Sequence, residues 1–87
     1  MILYYDMQPY KSYTNNDKQF LLRRIKDIKI KKCYIDIFKL LINKNIKYMK
    51  NNNGIFFNLG LLSDEILHMI DLIIRFYEIK NIENNNI

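Results

Sequence analysis

The chain is expected to fold as a mainly α-helical, three-helix domain with a short extended segment or hairpin between helices two and three. Three observations predict this. Apolar residues recur at helical spacing in three separate stretches of the 87 residues. A turn signal, Asn53-Gly54, is followed directly by Ile55, Phe56 and Phe57, which favour extended backbone. Ser63 then precedes Asp64 and Glu65, a capped and dipole-matched start for the last helical stretch.

Residues 1–13 form a non-helical aromatic lead, residues 14–80 the domain, and residues 81–87 a flexible Asn-rich tail. In the lead, Pro9 disfavours helix at Gln8. Tyr4, Tyr5, Tyr10 and Tyr13 there suit either a docking arm or packing across the domain's own groove. Asp6 interrupts the apolar start and no basic segment precedes it, so no secretory signal is expected.

Thr14-Asn15-Asn16-Asp17 has the form of a capping box and opens helix one. Leu21, Ile25 and Ile28 supply its apolar stripe at i, i+4 and i+7. After a break at residues 29–31, helix two places Tyr34, Ile37, Phe38 and Leu41 on one face, with Asn43 and Asn45 as its stop. A mixed run at 46–49, a turn at 51–54 and an extended stretch at 55–59 follow. Helix three is expected from about Asp64 to Ile79. Asp64, His68, Asp71, Arg75 and Glu78 recur at helical period as one solvated polar stripe, and nearly everything else on this helix is apolar. Ile55, Phe57, Leu67 and Ile70 are expected to hold helix three against the other two.

Composition excludes several functions. No apolar run approaches the roughly 18 residues needed to span a bilayer, so no membrane role is expected. Cys33 is the single cysteine, so no internal disulfide forms and a reducing, intracellular compartment is expected. Cys33 at the start of helix two is read as a small apolar filler rather than an activated thiolate. No nucleophile elbow or Cys-His pair is present, and with Gly54 and Gly60 as the only glycines there is no phosphate-cradling loop. His68 with Asp64 and Asp71 is too ordinary a surface set to carry a metal. The chain is therefore expected to be no enzyme and to need no cofactor or metal.

The net charge of +5 permits acidic partners. Arg23, Arg24, Lys26, Lys29, Lys31 and Lys32 make a basic run that offers phosphate contacts. At helical spacing its first members simply surround the Leu21–Ile25–Ile28 stripe, and interleaved aromatics for base stacking are missing. A solvated face is the preferred reading, with weak and unspecific nucleic-acid binding at most.

Thr14, Asp17, Lys18, Leu21, Ile25 and Ile28 resemble the first helix of the extra-terminal (NET) domain, with its "EK..L...I..L" spacing. Ile37, Phe38, Leu40 and Leu41 resemble the "VV.II" segment of its second helix, with one residue inserted between helices. Ile55, Phe57, Leu59, Leu62, Leu67 and Ile70 resemble its "I.I.F..L....L..L" segment. The resemblance covers residues 14–79. Such domains occur beside bromodomains, in transcription subunits with YEATS modules and as short proteins of large DNA viruses. It implies a non-enzymatic protein-interaction module in a transcription-linked, chromatin-linked or virus-encoded assembly, located in the nucleus, a viral factory or a virion. It also implies that a partner peptide pairs as a strand along the segment before the last helix. The implied contact residues are Ile46, Tyr48, Ile55, Phe56, Phe57, Asn58 and Leu59. Family members carry acidic residues in this loop and attract lysine-bearing peptides; the matching positions here are Gly54, Phe56 and Asn58. An apolar or acidic partner strand, or pairing between copies of the chain, is expected instead. A basic nucleic-acid-binding protein and a self-associating structural subunit are the alternatives.

Overall fold

The computed structural model describes residues 12–85, with side chains as far as residue 80. The expectations for the lead at positions 1–11, and for positions 86–87, lie outside the described residues. The architecture is the expected one: three helices with a two-stranded hairpin between the second and third.

Helix α1 (Asn15–Lys26) starts at the predicted capping box. The Thr14 hydroxyl accepts from the Asp17 amide at 3.1 Å, and the Asp17 carboxylate accepts from the Thr14 amide at 3.0 Å. Two otherwise orphaned donors are thereby satisfied. Arg23, Arg24 and Lys26 occupy the last turn, where the helix dipole favours cations. Helix α2 (Lys31–Asn43) has no side-chain cap at its start. Its end is well made. Asn45 takes φ +56, and the Asn45 and Ile46 amides return to the Ile42 and Leu41 carbonyls, both at 3.0 Å. This is a Schellman closure with Asn in the left-handed position.

Strands β1 (Met49–Asn51) and β2 (Gly54–Phe56) pair antiparallel, with Met49 opposite Phe56, Lys50 opposite Ile55 and Asn51 opposite Gly54. The turn residues are therefore Asn52 and Asn53, one step earlier than the Asn53-Gly54 turn expected from sequence. The Asn51 side chain accepts from the Asn53 amide at 2.7 Å and shapes the turn locally. Gly54, at φ +137, opens β2 rather than sitting inside the turn. Extended backbone also ends sooner than residue 59. Asn58 caps a 3-10 turn at Leu59–Leu61 by accepting from the Gly60 amide at 2.9 Å.

Helix α3 (Asp64–Asn85) begins as expected, with the Ser63 hydroxyl accepting from the Ile66 amide at 3.3 Å. It runs past the predicted end at residue 79, so the boundary placed at residue 81 falls inside the helix.

The core joins Leu21 of α1, Cys33, Ile37 and Leu41 of α2, Leu62, and Ile66, Leu67, Ile70 and Ile74 of α3. Leu67 and Ile70 are fully buried, as expected of residues holding α3 in place. Three expectations need correction. On α2 Ile37 and Leu41 are buried as expected and Cys33 completes their face, but Tyr34 and Phe38 are exposed. Phe57 is half-buried and Ile55 exposed, so these two border the core rather than clamp α3.

The third correction concerns the polar stripe of α3, which is solvated only in part: Arg75 and Glu78 are exposed, Asp64 and His68 half-buried and Asp71 buried. Asp71 is 9 % exposed and bonded to Arg24 of α1, with Arg75 adding a contact at 3.2 Å. Arg24 also reaches Glu78 at 3.3 Å, and Asp64 accepts from the Tyr13 amide at 3.1 Å. The stripe faces α1, and Leu72, Phe76 and Ile79 face outward instead.

Candidate protein-interaction groove

Placing Tyr34 and Phe38 one step outside the α2 core face opens an apolar groove of about 360 Å³. Leu22 and Ile25 of α1 form one wall and Tyr34, Phe38 and Leu41 of α2 the other. Ile55, Phe57 and Leu59 close it along the hairpin side, and Ile37, Leu62 and Ile70 belong to its floor. No charged side chain lines it. The Tyr34 hydroxyl donates to the Ile25 carbonyl at 2.8 Å, which fixes its ring at the rim and satisfies an acceptor at the end of α1.

Phe57 organises the hairpin side. Its ring meets Phe38 edge-on at 6.2 Å and Tyr48 at 5.7 Å, distances at which aromatic pairs add to plain burial. Side chains alternate along an extended chain, so Phe56 points away from the groove. There it lines a shallower recess of about 320 Å³ with Lys47, Tyr48, Met49 and Leu61, the last 82 % exposed. The adjacent surface is mixed, with Lys18, Gln19 and Asn58 beside Leu22, Phe57 and Leu59, and the Lys18 ammonium donates to the Gly60 carbonyl at 3.1 Å. The sheet has two strands, so among the described residues each strand has one edge without a partner strand.

The structure thus brings Tyr48, Ile55, Phe56, Phe57, Asn58 and Leu59 into one region. Phe57 and Leu59 face the groove, Phe56 the recess, and Asn58 caps the 3-10 turn. Ile46 is partly buried against the core and anchors the approach to β1. Sequence reasoning missed Leu22, Tyr34, Phe38, Met49 and Leu61 as members. The i, i+4 pairing of Tyr34 with Phe38 beside a second apolar stripe was the available signal.

The basic run divides. Arg23, Lys26, Lys29, Lys31 and Lys32 are exposed, whereas Arg24 is half-buried. Burial works against the Arg24 charge, but the bond to Asp71 and the charges of Asp71 and Glu78 outweigh it and hold the guanidinium above its ordinary range. Arg24 is a structural cation. Cys33 is buried, and burial, with Asp36 and Glu78 nearby, pushes its thiol up. That is the behaviour of a packed filler rather than an activated thiolate. Of the His68 set, the Asp64 and Asp71 carboxylates are engaged by Tyr13, Arg24 and Arg75. Among the described residues no three His, Cys, Asp or Glu side chains gather as a metal site, and no helix is long and apolar enough to cross a membrane.

Behind the groove, the Tyr77 hydroxyl of α3 donates to the Asp36 carboxylate of α2. That bond first, then burial, pushes the phenol up from 10.0 to about 12. The neutral phenol is the bonded form. The stability it adds is therefore complete below pH 10 and is lost as pH rises through about 12. Asp36→Ala, which removes the acceptor, is expected to bring one tyrosine back toward ordinary titration in an alkaline ultraviolet titration. An unchanged curve would show that the bond does not persist in solution.

No family model matches the chain, and no solved structure matches it. It is similar to an uncharacterized protein of Acanthamoeba polyphaga mimivirus, with 32% identity over 59 residues. The match takes in 67% of this chain, which spans about 30% of the viral protein's length.

Proposed function

We propose that this domain is a non-enzymatic protein-interaction module that takes an extended segment of a partner along the β2 side of the groove. One observation carries this reading: an uncharged apolar groove lies directly beside a strand with one edge unpaired among the described residues. An incoming strand can satisfy its main chain on that edge and place alternate side chains in the groove. Tyr34, Phe38 and Phe57 supply the large, stiff aromatic surface typical of binding hot spots.

The resemblance to extra-terminal domains supports the same reading, since such modules capture strands at the corresponding segment. The viral relative fits a place in a virus-encoded assembly, and a transcription-linked or chromatin-linked setting follows from the family resemblance. Nucleic-acid binding is the weaker reading because Arg24, central to the basic run, is committed to Asp71 and Glu78.

The test is peptide selection from a random display library on the immobilised domain, followed by amide NMR mapping. Selected peptides are expected to shift residues 54–59 and the α2 turn that carries Tyr34 and Phe38. Tyr34→Ala and Phe38→Ala should each weaken them by about 1–2 kcal/mol. Shifts confined to Arg23, Lys26, Lys29, Lys31 and Lys32 would overturn the proposal.

A further inference from the structure

We propose that the captured segment is acidic, an extended peptide in which apolar residues alternate with Asp or Glu. This rests on the strand-capture reading and specifies the chemistry of the strand. No Asp or Glu occurs between Asp36 and Asp64, whereas Lys39, Lys44, Lys47 and Lys50 do. None of the residues lining the groove, the Phe56 recess or the Lys18 surface is acidic.

Five of the described acids lie elsewhere and are engaged. Asp36 accepts from Tyr77, Asp64 from Tyr13, and Asp17 closes the capping box. Asp71 and Glu78 hold Arg24. Charge is thus segregated, with ion pairs joining α1 to α3 and lysines bordering the hairpin.

Two lysines stand where the carboxylates of such a strand would lie. Lys47 shares the recess with Phe56, and Lys18 of α1 sits at Gly60 where the segment ends, whereas Lys50 stands across from Ile55 on the groove side. An ammonium has three donors, and the Gly60 carbonyl takes one from Lys18. In an extended ligand, alternate side chains point to opposite faces. Apolar residues would enter the groove while the intervening carboxylates approach these ammonium groups. A lysine-bearing strand would set like charges together where partial desolvation strengthens their repulsion.

The experiment uses three synthetic peptides with isoleucine at the same alternate positions and Glu, Ser or Lys between them. Affinity is measured at low and physiological salt, and the site is mapped by amide shifts. The Glu peptide is expected to bind most tightly at residues 54–59 and to weaken with salt. The variant Lys47→Glu, at an exposed position, should weaken it on the order of fivefold while changing the Ser peptide less than about twofold. If the Ser or Lys peptide binds at residues 54–59 as tightly as the Glu peptide, the acidic inference fails and strand capture stands. If no peptide shifts these residues, strand capture itself fails. If a polythymidylate oligonucleotide binds the same amides more tightly than the Glu peptide, the occupant is nucleic acid and the inference is overturned.

Discussion

Ile70→Ala is expected to lower stability by about 2–5 kcal/mol, the range for truncating a buried Ile or Leu that leaves a cavity. Ile70 is 0 % exposed and lies between the α3 core face and the groove floor. Its neighbours there, including Ile37, Leu41 and Leu62, come from segments that cannot all shift to fill the space. Small domains have total stabilities of roughly 5–15 kcal/mol, so this one substitution consumes much of the margin. At roughly 4–8 °C per kcal/mol for a domain of this size, the melting temperature should fall by 10 °C or more in circular dichroism, as an order of magnitude. Leu72→Ala, on the same helix but half exposed, is the control and should stay within about 1 kcal/mol. Equal losses at the two positions would show that the buried face of α3 is misplaced.

The second large effect is expected at the ion-pair network that joins α1 to α3. Arg24→Met should cost about 3 kcal/mol, the low end of the range for breaking a buried pair. The Asp71 side chain is 12% exposed and would keep Arg75, itself 64% exposed. A carboxylate so placed loses water without regaining an equivalent partner. Adding Asp71→Leu to Arg24→Met should recover most of the loss, because replacing a buried pair by apolar groups of similar size is often neutral. Urea unfolding of the two single variants and the double variant gives the coupling directly. A single Arg24→Met variant within about 0.5 kcal/mol of the parent would place the pair in solvent, as an ordinary surface bridge.

Features governed by neighbouring residues were legible in the sequence. Thr14 and Asp17 form their capping box within one turn, Asn45 stops α2 in the conformation Asn tolerates, and Ser63 starts α3. The hairpin was visible from its turn residues, although its exact turn was not. Three asparagines in a row, Asn51, Asn52 and Asn53, leave the register to the side chain of Asn51 and to strand pairing. Of the candidate groove, the hairpin contribution was legible because Ile55, Phe57 and Leu59 alternate. The helical walls were not.

What the sequence by itself determined was the order of elements, most of their limits and the existence of an apolar surface larger than three helices need. Short-range hydrogen bonds and helical periodicity suffice for that. Only the tertiary structure decided which faces are used. On α2, Cys33, Ile37 and Leu41 compete with Tyr34 and Phe38 for the interior. Both sets are apolar at helical spacing, and only the fit against α3 selects the smaller side chains and leaves the aromatics at the groove rim. On α3, the polar stripe looked solvated because its decisive partner, Arg24, is 47 residues from Asp71 in the chain. No local pattern encodes that distance; docking α1 against α3 brings opposite charges together and buries Asp71 at the centre of the stripe.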